Sequence, residues 1–379
     1  MKVRLGYVAL SKALDDVTTS STITYTNYIN KNYNTSKLLE ITKNNLDSLY
    51  EIIKYNVKNN FHFYRLTSKL VPLATHDKID FDYITPLLDE YKKIGKLIND
   101  NNIRVDTHPD QYAVLNSMDS KIVKNTVEIL EYHYKIMDAI GIKDKIIILH
   151  VGSSACGKKA SITRFINNFN KLPDHIKKCI AVENDDKVYN IKDVLELCHK
   201  INVPMVLDYH HFICNNEKED INDYLKEIID TWDGKLPKMH FSSPKSKLKK
   251  EFRSHSDYIN KECFIKFINI LKKQDKDIDI KADVEDNKIT FYLSETINEG
   301  LYLDNLEKGK YYLFLKLIYK DPEDKEKDIS KYYILKNDTE YKDTTYYTLS
   351  KYNNKIVVNS NNDYPTMALD ITENKNNND

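Results

Sequence analysis

The chain has 379 residues, 41% of them hydrophobic and 30% charged, with 57 Lys plus Arg set against 57 Asp plus Glu. That length holds one large domain or two, and a net charge of zero excludes a global field steering the chain to nucleic acid or membrane, so any DNA-binding surface must be a local patch. The five cysteines (Cys156, Cys179, Cys198, Cys214, Cys263) are scattered without a CxxC pair, which argues against a disulfide framework or a thiolate metal site and fits a reducing cytoplasm; no signal peptide or membrane span is visible.

Up to about residue 283 short apolar runs alternate with amphipathic ones. Strands are expected at 3–8, 61–66, 103–107, 145–150, 179–183, 203–208, 238–241 and 277–282. Helices are expected between them at 36–58, 83–100, 121–140, 159–170, 191–201, 220–231 and 258–273. Apolar residues at three- and four-residue spacing, such as Ile129, Tyr132, Ile136 and Ile140, carry the helical pattern. Eight strands with interposed helices predict an α/β fold, a (β/α)8 TIM barrel. A doubly wound open sheet is the alternative, but it calls for a glycine-rich loop after the first strand, and LGYVALSKAL is not one. The barrel domain is expected to span 1–284, without an evident eighth helix. From 285 to 371 the text becomes β-prone (KITFYLSE, GLYLDNL, KGKYYLFLKLIY, KYYILKND, TTYYTLSK, NKIVVNS) and predicts a small all-β appendage of unknown role, followed by a disordered tail at 372–379.

In a barrel the site lies at the carboxyl ends of the strands. Those ends deliver His108 in THPDQY, His150 in IIILH, Glu183, Asn184 and Asp185 in AVEND, Asp208, His210 and His211 in VLDYHHF, and Lys238 and His240 in KMHF. Loops add His76 in PLATH and His255 in FRSHSDY. Several imidazoles and carboxylates converging on one mouth would bear a heavy desolvation cost without cations between them. An all-nitrogen and oxygen donor set suits Zn²⁺ or Mn²⁺. Such ions activate water and stabilise the attacking and leaving oxygens of a phosphodiester. Lys245, Lys247, Lys249, Lys250 and Arg253 in KSKLKKEFR form an electropositive loop beside them, fitted to a phosphate backbone. Tyr7, Gln111 and Tyr112 lie at strand ends of the same mouth, where they could stack on bases or wedge between them.

Taken in order, LGYVAL, YRLTSKLVPLATH, HPDQYAVLNS, ILHVG, ENDDK, VLDYHHF, HFSSPK and FRSHSDY resemble the UV damage endonucleases over residues 1 to about 283. The resemblance implies a TIM barrel similar to endonuclease IV and an incision just 5′ of UV lesions in damaged double-stranded DNA. It implies up to three divalent ions, manganese favoured over zinc or magnesium, held by His108, His150, Glu183, Asp208, His211, His240 and His255, with His76 nearby. It places Glu183, Asp208 and Lys238 in catalysis, Lys238 as a lysine carrying a carboxyl modification. It gives Gln111 and Tyr112 the role of probing the damaged strand, and Tyr7 a place in the lesion pocket. The last strand departs from the family's Glu-Ala-Lys pattern: it reads Lys281-Ala282-Asp283, the lysine and the acid exchanged.

The reading is therefore a metal-dependent DNA repair endonuclease, cytoplasmic, with no membrane or protein partner implied. Two rivals stand beside it. A xylose-isomerase-like sugar isomerase or epimerase would use the same donors but need neither the lysine loop nor the Gln-Tyr pair. A lesion-binding protein impaired at Lys281 would bind damaged DNA without nicking it.

Overall fold

A computed structural model describes residues 3–8, 14, 17–248, 250–256, 259–274 and 276–283, together with short strands at 312–319, 329–336, 350–352, 355–357 and 366–367. Eight parallel strands close into a barrel in chain order: β1 (Val3–Val8), β2 (Phe63–Leu66), β3 (Arg104–Thr107), β4 (Ile147–His150), β5 (Ile180–Glu183), β6 (Met205–Asp208), β7 (Lys238–Ser242) and β8 (Ile278–Asp283). β8 returns to β1, with Val3 opposite Ile278 and Gly6 opposite Lys281. This is the TIM barrel that the alternation of strand-like and helix-like runs predicts.

Helices Thr35–Lys58, Leu88–Asp100, Ser120–Ile140, Lys158–Asn170, Ile191–Ile201, Asn222–Asp230 and Lys261–Lys272 clothe the barrel. Their ends follow from local chemistry. Asn190 and Asp193 form a reciprocal capping box at the start of Ile191–Ile201. Gly141, at φ 82°, takes the left-handed position that ends Ser120–Ile140. Among the described residues, no helix is long and apolar enough to cross a membrane.

Strand alternation sorts the side chains into two cores. One parity (Ile147, Leu149, Val182, Leu207, Met239, Ile280) packs outward into the helices. The other gives a small interior cluster of Ile146, Ile148, Ala181 and Val206 above Trp232. At the amino-terminal end of the barrel, buried Asp279 binds two arginines. Arg4 is bidentate, with Nε and Nη2 at 2.6 and 2.8 Å, and Arg104 Nη1 lies at 2.9 Å. Arg104 also donates to Leu236 O at 2.7 Å and lies over the Trp232 ring. These contacts tie β1, β3 and β8 together where the sheet closes.

The chain divides into two compact units, 1–292 and 293–379. In the second, β9 (Tyr312–Tyr319) and β10 (Ile329–Lys336) pair antiparallel, β13 (Thr366–Met367) adds parallel to β10, and β11 (Ser350–Tyr352) pairs with β12 (Lys355–Val357). The runs KITFYLSE and GLYLDNL, any eighth barrel helix before residue 312 and the expected tail at 372–379 lie outside the described residues.

Removing one partner of a buried ion pair leaves the other charges uncompensated. Asp279→Ala is expected to destabilise the barrel by about 3–5 kcal/mol. Urea unfolding of the two proteins side by side measures this, and an unchanged midpoint would refute the closing role of the triad.

Candidate metal centre

On the interior parity, three strands end at the mouth in His150, Glu183 and Asp208, and His108 follows β3 directly. Glu183 is the hub. It is 2% exposed, and its carboxylate belongs to two groups whose ligand atoms all lie within 4.8 Å: His108, His150 and Glu183, and Glu183, Asp208 and His211. The rings of His108 and His150 are 5.0 Å apart, and those of His150 and His211 are 5.7 Å apart.

The local chain sets each donor. Asp208 ends β6 and caps the short helix Tyr209–Cys214, its Oδ1 accepting the His211 N–H at 2.8 Å. This turns His211 back over Asp208 and Glu183, with Nδ1 at 3.7 and 3.6 Å from their oxygens. Asn184 locks the frame: its side chain donates to Asp208 O at 3.0 Å and accepts from Asp208 N–H at 2.9 Å. The carbonyl of Asn184 lies 2.9 Å from His211 Nδ1 and accepts its proton, an outer-shell arrangement that fixes the ring.

Two observations fit a cation. His108 Nδ1 lies 2.8 Å from Pro109 O and donates to it, which turns the Nε2 lone pair toward Glu183 Oε2 at 3.2 Å. Burial, with the Arg65 charge assisting, pushes His108 down to about 4, so at neutral pH an imidazole lone pair and a carboxylate oxygen face each other. Two acceptors at that distance are disposed as ligands of a shared positive charge. His150 Nδ1 is buried and has no hydrogen-bond partner among the described residues. Burial works against charge on His211, but Asp208 and Glu183 outweigh it and raise that histidine to about 9. A cation entering here displaces that proton. Burial likewise acts to raise Glu183, and the neighbouring His240, which donates to it, together with His150 holds it well below the usual carboxylate range.

His240 joins the site differently from the ligand role that the resemblance implies. Its Nε2 is 2.6 Å from an Arg65 guanidinium nitrogen, and a guanidinium only donates. Nε2 therefore accepts, the ring proton sits on Nδ1, and Nδ1 donates to Glu183 Oε1 at 2.8 Å. As placed, His240 orients Glu183. Behind it lies a chain of buried charge in which sequence reading singled out Lys238 but missed Arg65 and Asp106: Arg65 reaches Asp106 at 3.4 Å, and Asp106 is ion-paired with Lys238. Asp106 stands two residues before His108, on the same strand face, which is the signal that could have revealed it. Lys238 is fully buried, with its Nζ 4.0 Å from the centre of the Phe63 ring. Pairing with Asp106 suits an ammonium, whereas a carboxylated lysine would set two anions against each other.

The other expected residues separate. His255 stands at the rim, 5.1 Å from the His210 ring and 6.1 Å from that of His211. His76 stacks on Tyr25 at 4.2 Å and accepts the Lys78 N–H, with no contact to the cluster among the described residues. Gln111 and Tyr112 are exposed, Tyr112 at 76%. Tyr7 is buried on the outward parity of β1, its hydroxyl donating to Asn56 in the helix layer at 2.6 Å. It has no face free for a base, a departure from its implied place in a lesion pocket. Lys245, Lys247 and Lys250 are exposed, and Arg253 pairs with Asp186 at 2.5 Å. Lys249 and the Lys281 side chain lie outside the described residues, though the Lys281 backbone stands opposite His240.

A model of the UV-endonuclease UvdE family matches residues 3–305. The UV DNA damage endonuclease of Bacillus cereus (strain 03BB102) is 42% identical over 288 residues, covering 75% of this chain and 90% of the relative. That of Bacillus thuringiensis subsp. konkukian (strain 97-27) is 41% identical over the same shares. Among solved structures, SacUVDE superposes with a TM-score of 0.69 at 33% identity, covering 75% of this chain and 93% of that one.

Removing the Arg65 guanidinium frees His240 to change tautomer and loosens Glu183. Outer-shell losses of this kind cost about 10–100-fold in metal affinity. Arg65→Met is expected to weaken Mn²⁺ binding by that factor while the far-ultraviolet circular dichroism stays native. Equal affinities in a Mn²⁺ titration followed by electron paramagnetic resonance would show that Arg65 does not support the centre.

Proposed function

The chain belongs to the UV-endonuclease UvdE family and is an endonuclease acting on DNA, and from that premise we propose that it nicks one strand of duplex DNA just 5′ of UV lesions with divalent cations, Mn²⁺ first, bound at the barrel mouth. The observation that carries this reading is the pair of donor groups sharing Glu183 beneath an open rim. His108, His150 and Glu183 would hold one cation, and Glu183, Asp208 and His211 another. A divalent cation there supplies Lewis-acid stabilisation of the phosphate and lowers the pKa of water.

The chain's own residues do the rest. His108 and His211 keep 16% and 14% of their side-chain surface exposed, so a phosphodiester can reach the donors from solvent while the Glu183 carboxylate stays dry beneath them. Asn184 pins the backbone of Asp208, and the His211 N–H and His240 hold the carboxylates of Asp208 and Glu183 before substrate arrives, which reduces reorganisation during reaction. Tyr112, projecting from the loop after β3, is placed to stack on an unstacked base, with Gln111 beside it. Lys245, Lys247 and Lys250 are placed for the phosphate backbone. The five cysteines are all free, as suits the reducing cytoplasm proposed for this protein.

Incubating the purified chain with Mn²⁺ and supercoiled plasmid tests this reading. Irradiated plasmid is expected to be converted to nicked circles, untreated plasmid is not, and Glu183→Gln is expected to remove both the bound metal and the nicks. Nicks independent of irradiation would refute the lesion specificity. Retained lesion binding without any nick would mark the impaired lesion binder instead.

Stacking on an aromatic side chain is worth about 1–3 kcal/mol per base. Tyr112→Ala is expected to weaken binding to a duplex carrying a pyrimidine dimer by that amount and to leave undamaged duplex nearly unaffected, as read by fluorescence anisotropy. Equal losses on both duplexes would leave Tyr112 without a role in reading the lesion.

A further inference from the structure

The loop after β7 is a built hairpin. Pro244 and His255 form an antiparallel bridge at its base, and the Lys245 N–H donates to Ser254 O at 2.8 Å. At its tip Leu248 O accepts the N–H groups of Glu251 and Phe252, both at 2.8 Å. Ser246 Oγ accepts the Leu248 N–H at 3.1 Å and donates to Glu251 Oε2 at 2.7 Å. The returning arm is fastened to its neighbours by Arg253 on Asp186 and by the Cys214 thiol donating to Phe252 O at 3.9 Å.

This frame holds out a leucine. Leu248 is 59% exposed, with exposed Lys247 and Lys250 on either side. An exposed leucine is ordinary on a surface, but this one stands on a hydrogen-bonded tip whose base carries His255 at the rim of the cluster. In a closed ring of eight strands β3 and β7 are opposite one another. The loops that carry Tyr112, 76% exposed, and Leu248 therefore leave the barrel from opposite sides of its ring, each bearing a large side chain exposed to solvent.

We propose that Leu248 is a second wedge, which inserts between stacked bases of the duplex on the side of the centre opposite Tyr112. The inference rests on the function proposed above and adds a residue to it. The flanking lysines supply the complementary charge for the phosphates on either side of the opened step. The leucine side chain leaves water for the space between bases, as apolar wedges of architectural proteins do, and bends the substrate over the mouth. Lysines alone would bind phosphates as well without an apolar residue between them.

The test compares single-turnover nicking, with Mn²⁺, of one pyrimidine dimer in a duplex and in the same strand left single, where there is no stacked pair to open. Leu248→Ala is expected to lower the duplex-to-single-strand rate ratio by about tenfold and to suppress the fluorescence rise of a 2-aminopurine placed beside the lesion in the duplex. Leu248→Met, which keeps an apolar wedge, is expected to retain both. An unchanged ratio and an unchanged 2-aminopurine signal in Leu248→Ala would overturn the proposal while leaving lesion-specific nicking intact. Wild-type protein that nicks neither substrate would overturn the functional reading, and this inference with it.

Discussion

A carboxylate almost without solvent contact stands at the mouth of this barrel, and the surrounding polar residues answer to its charge. Burying Glu183 costs several kcal/mol unless charge and hydrogen bonds replace the lost water. His240 donates to one oxygen, and His108 faces the other. The debt does not end there, because Arg65 donates to the far nitrogen of His240 and so keeps the ring proton on the nitrogen that faces Glu183. Arg65 in turn needs an anion in a dry place, and Asp106 provides it, with Lys238 as counterion. The sequence Glu183, His240, Arg65, Asp106, Lys238 thus alternates acceptors and donors from the mouth down into the interior. Removing a link leaves a buried charge on either side without its partner, so the network acts as one unit.

The same barrel uses buried charge at its other end for a different purpose. Asp279, Arg4 and Arg104 also form an ion cluster, with Asp279 fully buried between two part-buried arginines, and two of its strands, β1 and β8, are those joined by closure of the sheet. At the mouth the arrangement differs: among the described residues His150 Nδ1 is buried without a partner, and a lone pair of His108 confronts a carboxylate. A cluster satisfied internally stabilises. A cluster that needs an outside cation to be satisfied is built for chemistry, and the division between the two ends follows the general habit of such barrels.

Strand ends were legible in the sequence because strands buried on both faces read as short continuous aliphatic runs, and each run stops at a polar residue. His150, Glu183 and Asp208 each close a run of β-branched or aliphatic residues, and the structure gathers all three. What the sequence hid was partner choice and facing. Arg65 in YRL reads as an ordinary polar residue at the end of a short run, and only its register beside Asp106 reveals it as interior. Tyr7 lies at the carboxyl end of β1, which placed it at the mouth. Gly6 takes the interior parity, so Tyr7 faces the helices, where Asn56 satisfies its hydroxyl. His76 and His255 illustrate a further limit. Both sit on loops, where no periodicity fixes direction, and one stacks away on Tyr25 while the other reaches the rim through the bridge to Pro244.

The interior ion pair also bears on recognition. Asp106 lies on β3 and Lys238 on β7, strands that face each other across the closed ring. These are the two strands whose following loops raise Tyr112 and Leu248. A pair buried between them resists their separation, because spreading the barrel there would strand two charges in an apolar medium. The same electrostatics that orients Glu183 thus ties together the two strands from which these loops leave. A substrate bound across them would be selected by its ability to deform, since opening a stack costs least where pairing is already weakened. Sensitivity to damage then needs no base-specific contact. Under the proposed function it would follow from two apolar groups raised beside the mouth and a duplex that yields most easily at a lesion.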